Sequence, residues 1–247
     1  MKIDILTLFP KMFSEPLGTS IIGRAQVKNL LKINVWDIRD FAEDKHRTVD
    51  DTPYGGGAGM VLKPDVVVHC IEHVKKQNPG TVIYLSPQGI PFTQEIAQKL
   101  SVQDSLVFLC GHYEGLDERV REGWVDYELS IGDYVLTGGE LPAMVVIDAV
   151  ARMIPGVLGD QESFRTDSFY EGLLEHPHYT RPFDFRGRIV PEILLSGNHE
   201  QIRRWRLKEA LRRTLLRRAD LLAKRHLTLE EELILKELEA ECGRERR

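Results

Sequence analysis

The chain has 247 residues, of which 42% are hydrophobic and 29% are charged, and its formal net charge is −5. These values are ordinary for a globular protein, and the sequence has no apolar run of about 18 residues, which argues against a transmembrane helix. The cysteines Cys70, Cys110 and Cys242 are scattered without a CxxC pair, which favours a reducing compartment. The N-terminus lacks the apolar core of a signal peptide, so we expect a cytoplasmic protein.

Short apolar runs rich in β-branched residues predict five strands of a buried parallel sheet. In chain order these runs are 2–8, 33–38, 81–85, 106–110 and 129–131. Helical patterns accompany them at 63–77, 93–100 and 143–153. This alternation is typical of an α/β domain.

The α/β pattern ends at Pro155 and Gly156, and a different pattern follows. Residues 159–171 are polar and aperiodic, which predicts a linker or mobile loop. Asn198 with Gln201 predicts the N-terminal cap of a long helix. Thr228 with Glu231 predicts a capping box that opens a last helix over 229–241. The sequence therefore predicts an α/β domain of about 160 residues and a small helical domain.

The net charge conceals one strongly basic segment. Residues 198–225 hold ten Lys or Arg against three Asp or Glu, whereas residues 1–197 hold 19 against 28. A concentrated basic segment on an acidic chain is a candidate contact for a phosphate backbone. A solvated amphipathic helix would carry the same charges, so charge alone leaves both interpretations open.

The stretch Tyr54–Met60 holds four glycines in five positions, which would let its backbone approach a ligand closely. It lacks the Gly-Lys-Ser/Thr of a phosphate-binding P-loop and the last glycine of GxGxxG, so both of these nucleotide motifs are excluded. Residues 46–51 lie just upstream and are dense in groups that could contact a base or a phosphate. A flexible surface turn remains the alternative for both segments.

Glycine-bearing segments begin where the three inner strands end, at 86–89, 111–119 and 132–142. Ligands of open parallel sheets bind at the carboxyl ends of the strands, so we expect these segments to converge on one ligand and to offer backbone groups to a purine edge. The first strand is followed by Phe9 and Pro10 without a glycine. This argues against a Rossmann nucleotide site and against an oxidoreductase built on one.

Asp167 lies in the predicted loop and Arg152 precedes it. A carboxylate on a mobile segment can be desolvated on closure and so become a stronger base, although a solvated loop acid would look the same. His176 and His178 have no third ligand at a usual spacing, which argues against a structural zinc site.

Together these segments closely resemble the bacterial tRNA (guanine-N1)-methyltransferase family, TrmD, of the knotted SPOUT superfamily. The resemblance spans nearly the whole chain in the family's order. Its most specific stretches are IGDYVLTGGELPAM at 131–144 and LLSGNHEQIRRWRLK at 194–208.

The resemblance implies a trefoil-knotted parallel-sheet methyltransferase domain over 1–160 that binds S-adenosylmethionine. It implies a flexible linker and active-site lid over 161–171, and a small all-helical tRNA-binding domain over 172–247. It also implies a homodimer in which the linker of one subunit closes over the cofactor of the other, and no membrane partner.

By motif match, the resemblance assigns the cofactor to the strand-end segments. The residues implied are Tyr84, Leu85, Ser86, Pro87, Gln88, Gly89, Gly111, Tyr113, Glu114, Gly115, Ile131, Gly132, Asp133, Tyr134, Val135, Leu136, Gly138, Gly139 and Pro142.

The implied reaction is methyl transfer to N1 of the guanosine at tRNA position 37, 3′ of the anticodon. Asp167 matches the family's general base, and Arg152 matches its partner for O6 or for orienting that base. Glu114 would offset the sulfonium charge or hold Mg²⁺, whose position is unknown. The guanine and the tRNA would be bound by His46, Asp50, Gly55, Gly57, Gly59, Arg203, Arg204, Arg206 and Lys208.

The sequence is also compatible with two rival functions. Another SPOUT enzyme would methylate a ribosomal RNA base or a ribose, and a ribose methylase would need neither a guanine pocket nor the Asp167 base. A catalytically silent RNA-binding homologue would not require Arg152, Asp167 or the glycines of the cofactor segments.

Overall fold

The computed structural model describes residues 1–159 and 167–245, with side chains as far as Glu241. Two compact units make up the chain, Met1–Gln161 and Glu162–Arg247. Within the described ranges, none of the helices combines the length and the apolar character that crossing a bilayer requires.

The first unit is an α/β structure around five parallel strands in the order β2-β1-β6-β5-β7. The strands are β1 (Lys2–Thr7), β2 (Lys32–Asp37), the short pair β3 (Asp50–Asp51) and β4 (Val61–Leu62), β5 (Thr81–Pro91), β6 (Ser105–Cys110) and β7 (Tyr127–Ser130). The helices are α1 (Ser14–Gly18), α2 (Ser20–Val27), α3 (Pro64–Lys75), α4 (Gln94–Ser101), α5 (Glu118–Trp124) and α6 (Glu140–Ala151).

The sheet is buried on both faces, which explains why its strands are apolar throughout. Alternate residues such as Leu6, Val82 and Val107 pack in one cluster with the apolar side of α3. The residues between them, such as Ile5 and Ile83, are also fully buried. Successive strand residues point to opposite faces, so a strand covered on both sides needs a continuous apolar run.

The five predicted strands are all present, as are the three predicted helices. Strand β5 is longer than expected because it resumes after an irregularity, and its register against β7 shifts between Leu85 and Ile90. Helices α1 and α2 were not predicted, since their glycines Gly18 and Gly23 interrupt the helical pattern. Helix α5 occupies part of a segment that the sequence assigned to a loop.

The second unit contains α7 (His199–Arg217), α8 (Ala219–Lys224) and α9 (Leu229–Glu245). Its core joins Leu211 of α7 to Ile234, Leu235 and Leu238 of α9. Both predicted helix starts are confirmed by hydrogen bonds. The Asn198 side chain accepts from the amide of Gln201 at 3.2 Å, and Thr228 and Glu231 exchange bonds of 2.8 and 3.3 Å.

The all-helical expectation for this unit needs one correction. A two-stranded hairpin pairs β8 (Asp184–Phe185) with β9 (Arg188–Ile189). Its turn is closed by Asp184, whose side chain accepts from the amide of Gly187 at 2.7 Å. An aspartate that bonds the backbone a few residues later favours a tight turn, and this local signal was present in the sequence.

Residues 161–166 of the predicted linker and lid lie outside the described residues. Of the expected linker, only 167–171 is described, and it is formed of bends and turns.

Candidate functional site

A cavity of about 250 Å³, the N-terminal cavity, lies at the carboxyl ends of the inner strands. It is lined by three segments: the irregular part of β5, the segment after β6 and the segment between β7 and α6. These are the segments that the sequence marked by their glycines. Every residue named above for the cofactor lines this cavity except Gly89 and Asp133.

Several lining residues were not named from the sequence. Gly89, which is not among the lining residues, packs its backbone closely against Glu128 and Leu129 of β7. Most of the additional lining residues fall within or next to the marked segments, so segment membership could have found them. Arg121 comes from the unpredicted helix α5. The additional residues are His112, Leu116, Arg121, Leu129, Ser130 and Thr137.

Gly139 holds two of the lining segments together by backbone contact. Its amide donates to the carbonyl of Gly111 at 2.9 Å. A Cβ added at Gly139 would lie 2.7 Å from the Cα of Cys110 and 2.9 Å from the amide nitrogen of Gly111. Such distances are too short for any side chain, so only glycine lets these backbones meet.

A buried carboxylate ties three elements together beneath the N-terminal cavity. Glu140, at the start of α6, is 2% exposed. One of its oxygens accepts from the Thr7 hydroxyl at 2.6 Å, and the other lies 2.8 Å from Nε2 of His112. A buried carboxylate is stabilised when both oxygens are hydrogen-bonded, as here. Burial and the charge of Glu140 raise the pKa of the neighbouring Cys110 thiol, which stays neutral.

The glycine-rich stretch Tyr54–Met60 reaches the N-terminal cavity at one end only. The amide of Glu114 donates to the carbonyl of Met60 at 2.9 Å, and a Cβ on Gly59 would overlap the Glu114 side chain. Gly55 and Gly57 have positive φ and open space around them. The structure thus brings Gly59 beside a segment that lines the N-terminal cavity and leaves Gly55 and Gly57 on an exposed turn.

Asp50 is connected to the same region through strand pairing. It lies in β3 opposite Leu62 of β4, and the amide of Leu62 donates to the carbonyl of Gly115 at 3.1 Å. His46 lies on an exposed turn, where its amide donates to Asp44 at 2.8 Å. Backbone hydrogen bonding from Thr48 lowers the pKa of the Asp44 carboxyl group, which stabilises this turn with an ionised side chain.

Arg152 and Asp167 belong to different units. Arg152 is exposed and lies at the C-terminal cap of α6. Its backbone amide donates to the carbonyl of Asp148 at 3.2 Å. Asp167 is half-buried, and its carbonyl accepts from the amide of Tyr170 at 3.4 Å.

Three of the four cations named for tRNA binding on α7 are paired with glutamates of α9. Arg203 lies 2.8 Å from Glu230, Arg204 lies 3.3 Å from Glu237, and Lys208 lies 2.8 Å from Glu241. The basic segment predicted from the sequence is therefore partly neutralised by the last helix.

Arg206 differs from its three neighbours. It is exposed, and it forms no ion pair with any carboxylate in the part of the chain that the structure describes. It lines a second cavity of about 490 Å³, the C-terminal cavity, which lies entirely within the second unit. The lining residues of this cavity are His176, Pro177, His178, Tyr179, Thr180, Arg181, Phe183, Val190, Leu194, Leu195, Ile202 and Arg206.

The two histidines of the C-terminal cavity lie together, with ring centroids 4.5 Å apart. Burial lowers the pKa of His176; the hydrogen bond to the carbonyl of Pro177 opposes this shift, and the net pKa is lowered. Among residues 1–159 and 167–241, no group of three or more His, Cys, Asp or Glu side chains is arranged to hold a metal ion.

Known proteins match this chain over most of its length. The model of the family described as tRNA (Guanine-1)-methyltransferase TrmD matches residues 1–224. A tRNA (guanine-N(1)-)-methyltransferase of Desulforamulus reducens is 60% identical over 97% of this chain and 95% of its own. Proteins with the same name from Pelotomaculum thermopropionicum and Dictyoglomus turgidum are 58% and 56% identical, over 96% and 99% of both chains respectively. The chain with the glycine-lined cavity therefore belongs to the tRNA (guanine-1)-methyltransferase family TrmD.

Proposed function

We propose that the protein transfers a methyl group from S-adenosylmethionine to N1 of the guanosine at tRNA position 37, 3′ of the anticodon. The observation that carries the proposal is the convergence of three glycine-bearing segments on one cavity, in a chain that belongs to this family. The names of the relatives specify guanine N1 in tRNA.

The residues around the N-terminal cavity fit S-adenosylmethionine. Strand-end backbone offers N–H and C=O groups to a purine edge, Leu85, Leu129 and Leu136 give apolar walls, and Glu114 supplies a carboxylate. When bound, the cofactor supplies an electrophilic methyl group on a positively charged sulfur. Glu114 is the carboxylate that we assign to that charge or to Mg²⁺, an ion that commonly uses one or two carboxylates and keeps several waters.

We assign the proton transfer to Asp167. N1 of guanine carries a proton, and its lone pair is poorly available until that proton is removed. A carboxylate that loses water as its segment closes becomes more basic and can take the proton. The guanidinium of Arg152 stabilises the negative charge that develops on O6. General-base help of this kind is worth about 10²–10⁴ in rate.

The substrate guanine must leave its stack to be methylated, at a cost of a few kcal/mol that is smallest in a loop. We propose that the segments around His46, Asp50, Gly55, Gly57 and Gly59 receive the flipped base, with Asp50 in contact with it. Gly59 is supported by its close approach to the Glu114 side chain. Asp50 is supported by its pairing with Leu62, whose amide donates to the carbonyl of Gly115.

We further propose the family's organisation for this chain. Residues 1–160 form the methyltransferase domain, with its last segments threaded in a trefoil knot, an exception to the usual absence of knots. Residues 161–171 act as linker and lid, and 172–247 bind the tRNA with the basic segment. The enzyme works in the cytoplasm as a homodimer.

The test is methyl transfer from labelled S-adenosylmethionine to an anticodon stem-loop with G at position 37, beside the same RNA with A at that position. We expect label on the G substrate alone, recovered as 1-methylguanosine after digestion. Equal label on both RNAs would point to ribose methylation and contradict the proposal. No label on either RNA, with the cofactor bound normally, would point to another RNA or to a silent binding protein.

The base assignment is tested with Asp167→Asn, and with Asp65→Asn on α3 as a matched control that lines neither cavity. We expect Asp167→Asn to lower turnover by at least about 100-fold while the affinity for S-adenosylmethionine stays within about twofold of the original. Near-normal turnover of this variant would remove Asp167 from the mechanism.

A further inference from the structure

The basic segment of α7 offers RNA fewer free charges than its composition suggests. Arg203, Arg204 and Lys208 face glutamates of α9 at ion-pair distance. Counterion release by a phosphate contact requires a cation that is not already neutralised. Arg206 fulfils this condition among the described residues, and it lines the C-terminal cavity.

The C-terminal cavity combines charge with apolar and aromatic surface. Arg181 and Arg206 supply two guanidinium groups, and neither forms an ion pair within residues 1–159 and 167–241. Tyr179 and Phe183 are about half exposed, at 49% and 48%. Leu194 and Ile202 add apolar lining. Large aromatic surfaces left this open to solvent, beside arginines, are suited to stacking with a ligand.

The acid–base character of the lining points to an anionic ligand. None of the described residues that line the C-terminal cavity carries a carboxylate. Glu175 lies 3.5 Å from Nε2 of His178, but it is not part of the lining. Nδ1 of His176 donates to the carbonyl of Pro177 at 3.2 Å, so the neutral ring offers Nε2 as an acceptor to the edge of a base.

The hairpin next to the C-terminal cavity extends the positive surface. The amide of Val190, which lines the cavity, donates to the carbonyl of Phe183 at 3.0 Å, so the hairpin is anchored to it. Arg186 and Arg188 are exposed on this hairpin, and no ion pair involves them within the described part of the chain. A backbone that enters the cavity would therefore meet further cations.

We propose that the C-terminal cavity binds one unstacked nucleotide of the RNA substrate, with its base on Tyr179 and Phe183 and its phosphate on Arg181 and Arg206. Single-stranded RNA is recognised through bases splayed onto aromatic side chains and through arginine contacts to phosphate. The nucleotide is not the methylated guanosine, because that base must reach the methyl donor. This proposal rests on the proposed function for the identity of its RNA.

The first arm of the test compares Arg206→Ala with Arg217→Ala, which removes the same charge from the same helix but does not line the cavity. The full chain is titrated with a fluorescent anticodon stem-loop RNA at several salt concentrations. We expect Arg206→Ala to raise Kd about tenfold and to reduce the salt slope by about one, with Arg217→Ala within twofold of the original. Equal effects of the two variants would overturn the proposal, since they would indicate general attraction.

The second arm uses Tyr179→Ala and Phe183→Ala. We expect each to raise Kd about tenfold with the salt slope unchanged, because stacking neutralises no phosphate. Both side chains are half exposed, and amide hydrogen exchange in α7 and α9 verifies that the second unit of each variant is folded. Unchanged Kd in both folded variants would overturn the proposal.

The two proposals fail separately. If 1-methylguanosine forms at position 37 but the cavity variants bind RNA normally, only the nucleotide site is wrong. If no methylguanosine forms but RNA binding still depends on Arg206 and Tyr179, the cavity is an RNA site and the proposed function is wrong.

Discussion

The two cavities differ in how much their structure depends on backbone contacts and on side chains. The lining of the N-terminal cavity includes five glycines, and its segments meet through close backbone contacts such as that of Gly139. The C-terminal cavity is made of side chains, among them Tyr179, Phe183 and Arg206. A backbone site should be damaged most by adding atoms, and a side-chain site by removing them.

The largest effect is expected from adding a single methyl group at Gly139. The Cβ of Gly139→Ala would lie within 3 Å of the backbone of Cys110 and Gly111, so the two lining segments must separate. We expect affinity for S-adenosylmethionine to fall by at least about 100-fold, as measured by calorimetry. Gly123→Ala is the matched control, because its Cβ would meet nothing within 4 Å. Comparable losses in both variants would refute the backbone interpretation of the cavity.

The next effect concerns Glu140, the one buried side chain that we expect to be essential to the N-terminal cavity. Glu140→Ala removes the partners of Thr7 and His112 and leaves a space under the cavity. We expect the free energy of unfolding to fall by about 2–4 kcal/mol, measured by chemical denaturation of the full chain. Glu140→Gln, which keeps one acceptor, should lose about half as much. If the alanine variant is as stable as the original, the hydrogen-bonded triad contributes nothing.

A smaller effect, with a defined pH dependence, is expected in the second unit. Burial raises the pKa of Glu231, but the amide of Thr228 and the guanidinium of Arg225 lower it more strongly, so the net pKa is lowered. A lowered pKa in the folded state stabilises the protein above the unfolded value, about 4.3, and this stabilisation is lost as the pH falls through the folded pKa.

Glu231→Gln should therefore be less stable than the original by about 1–2 kcal/mol at pH 7. The difference should shrink as the pH falls below about 4. The difference in stability is measured by amide hydrogen exchange in α9, the helix that contains Glu231. A difference that stays constant from pH 7 to pH 3 would show that ionisation of Glu231 is unimportant.

The smallest effect is expected from the ion pair between Arg204 and Glu237. Both side chains are about half exposed, and their atoms lie 3.3 Å apart. We expect Arg204→Ala to change the free energy of unfolding by less than about 1 kcal/mol, because water and salt screen exposed pairs. A double-mutant cycle with Glu237→Ala gives the coupling energy directly. A coupling energy well above this value would mean that the ion pairs between α7 and α9 contribute substantially to the stability of the second unit.

Sequence patterns predicted the elements best where the signal is local. The apolar runs of β1 and β6 and the caps at Asn198 and Thr228 depend on neighbouring residues, so their interpretation needed no knowledge of the fold. Helix α2 was missed because its glycine, Gly23, lowers helix propensity and tertiary packing compensates for it. The hairpin at 184–189 was missed because two short strands carry almost no periodicity.

The residues of the candidate site also divide into those with a local sequence signal and those without one. The strand-end glycines marked nearly all of the N-terminal cavity in advance, because parallel strands bring their carboxyl ends to one edge. The identity of the cofactor came from resemblance to a family and not from periodicity. Contacts between distant residues, such as Gly59 with Glu114, could not be inferred from either segment alone.

The sequence by itself determined the class of the first unit, the position of the segments that line the N-terminal cavity and the composition of the basic segment. Only the tertiary structure decided which of those basic residues are neutralised, since Arg204 and Glu237 are 33 positions apart in the chain and meet when α7 packs on α9. It also joined Thr7 to Glu140 across 133 positions. Charge and hydrophobicity are properties of residues, but pairing and burial are properties of the packed chain, because they depend on which surfaces the fold brings together.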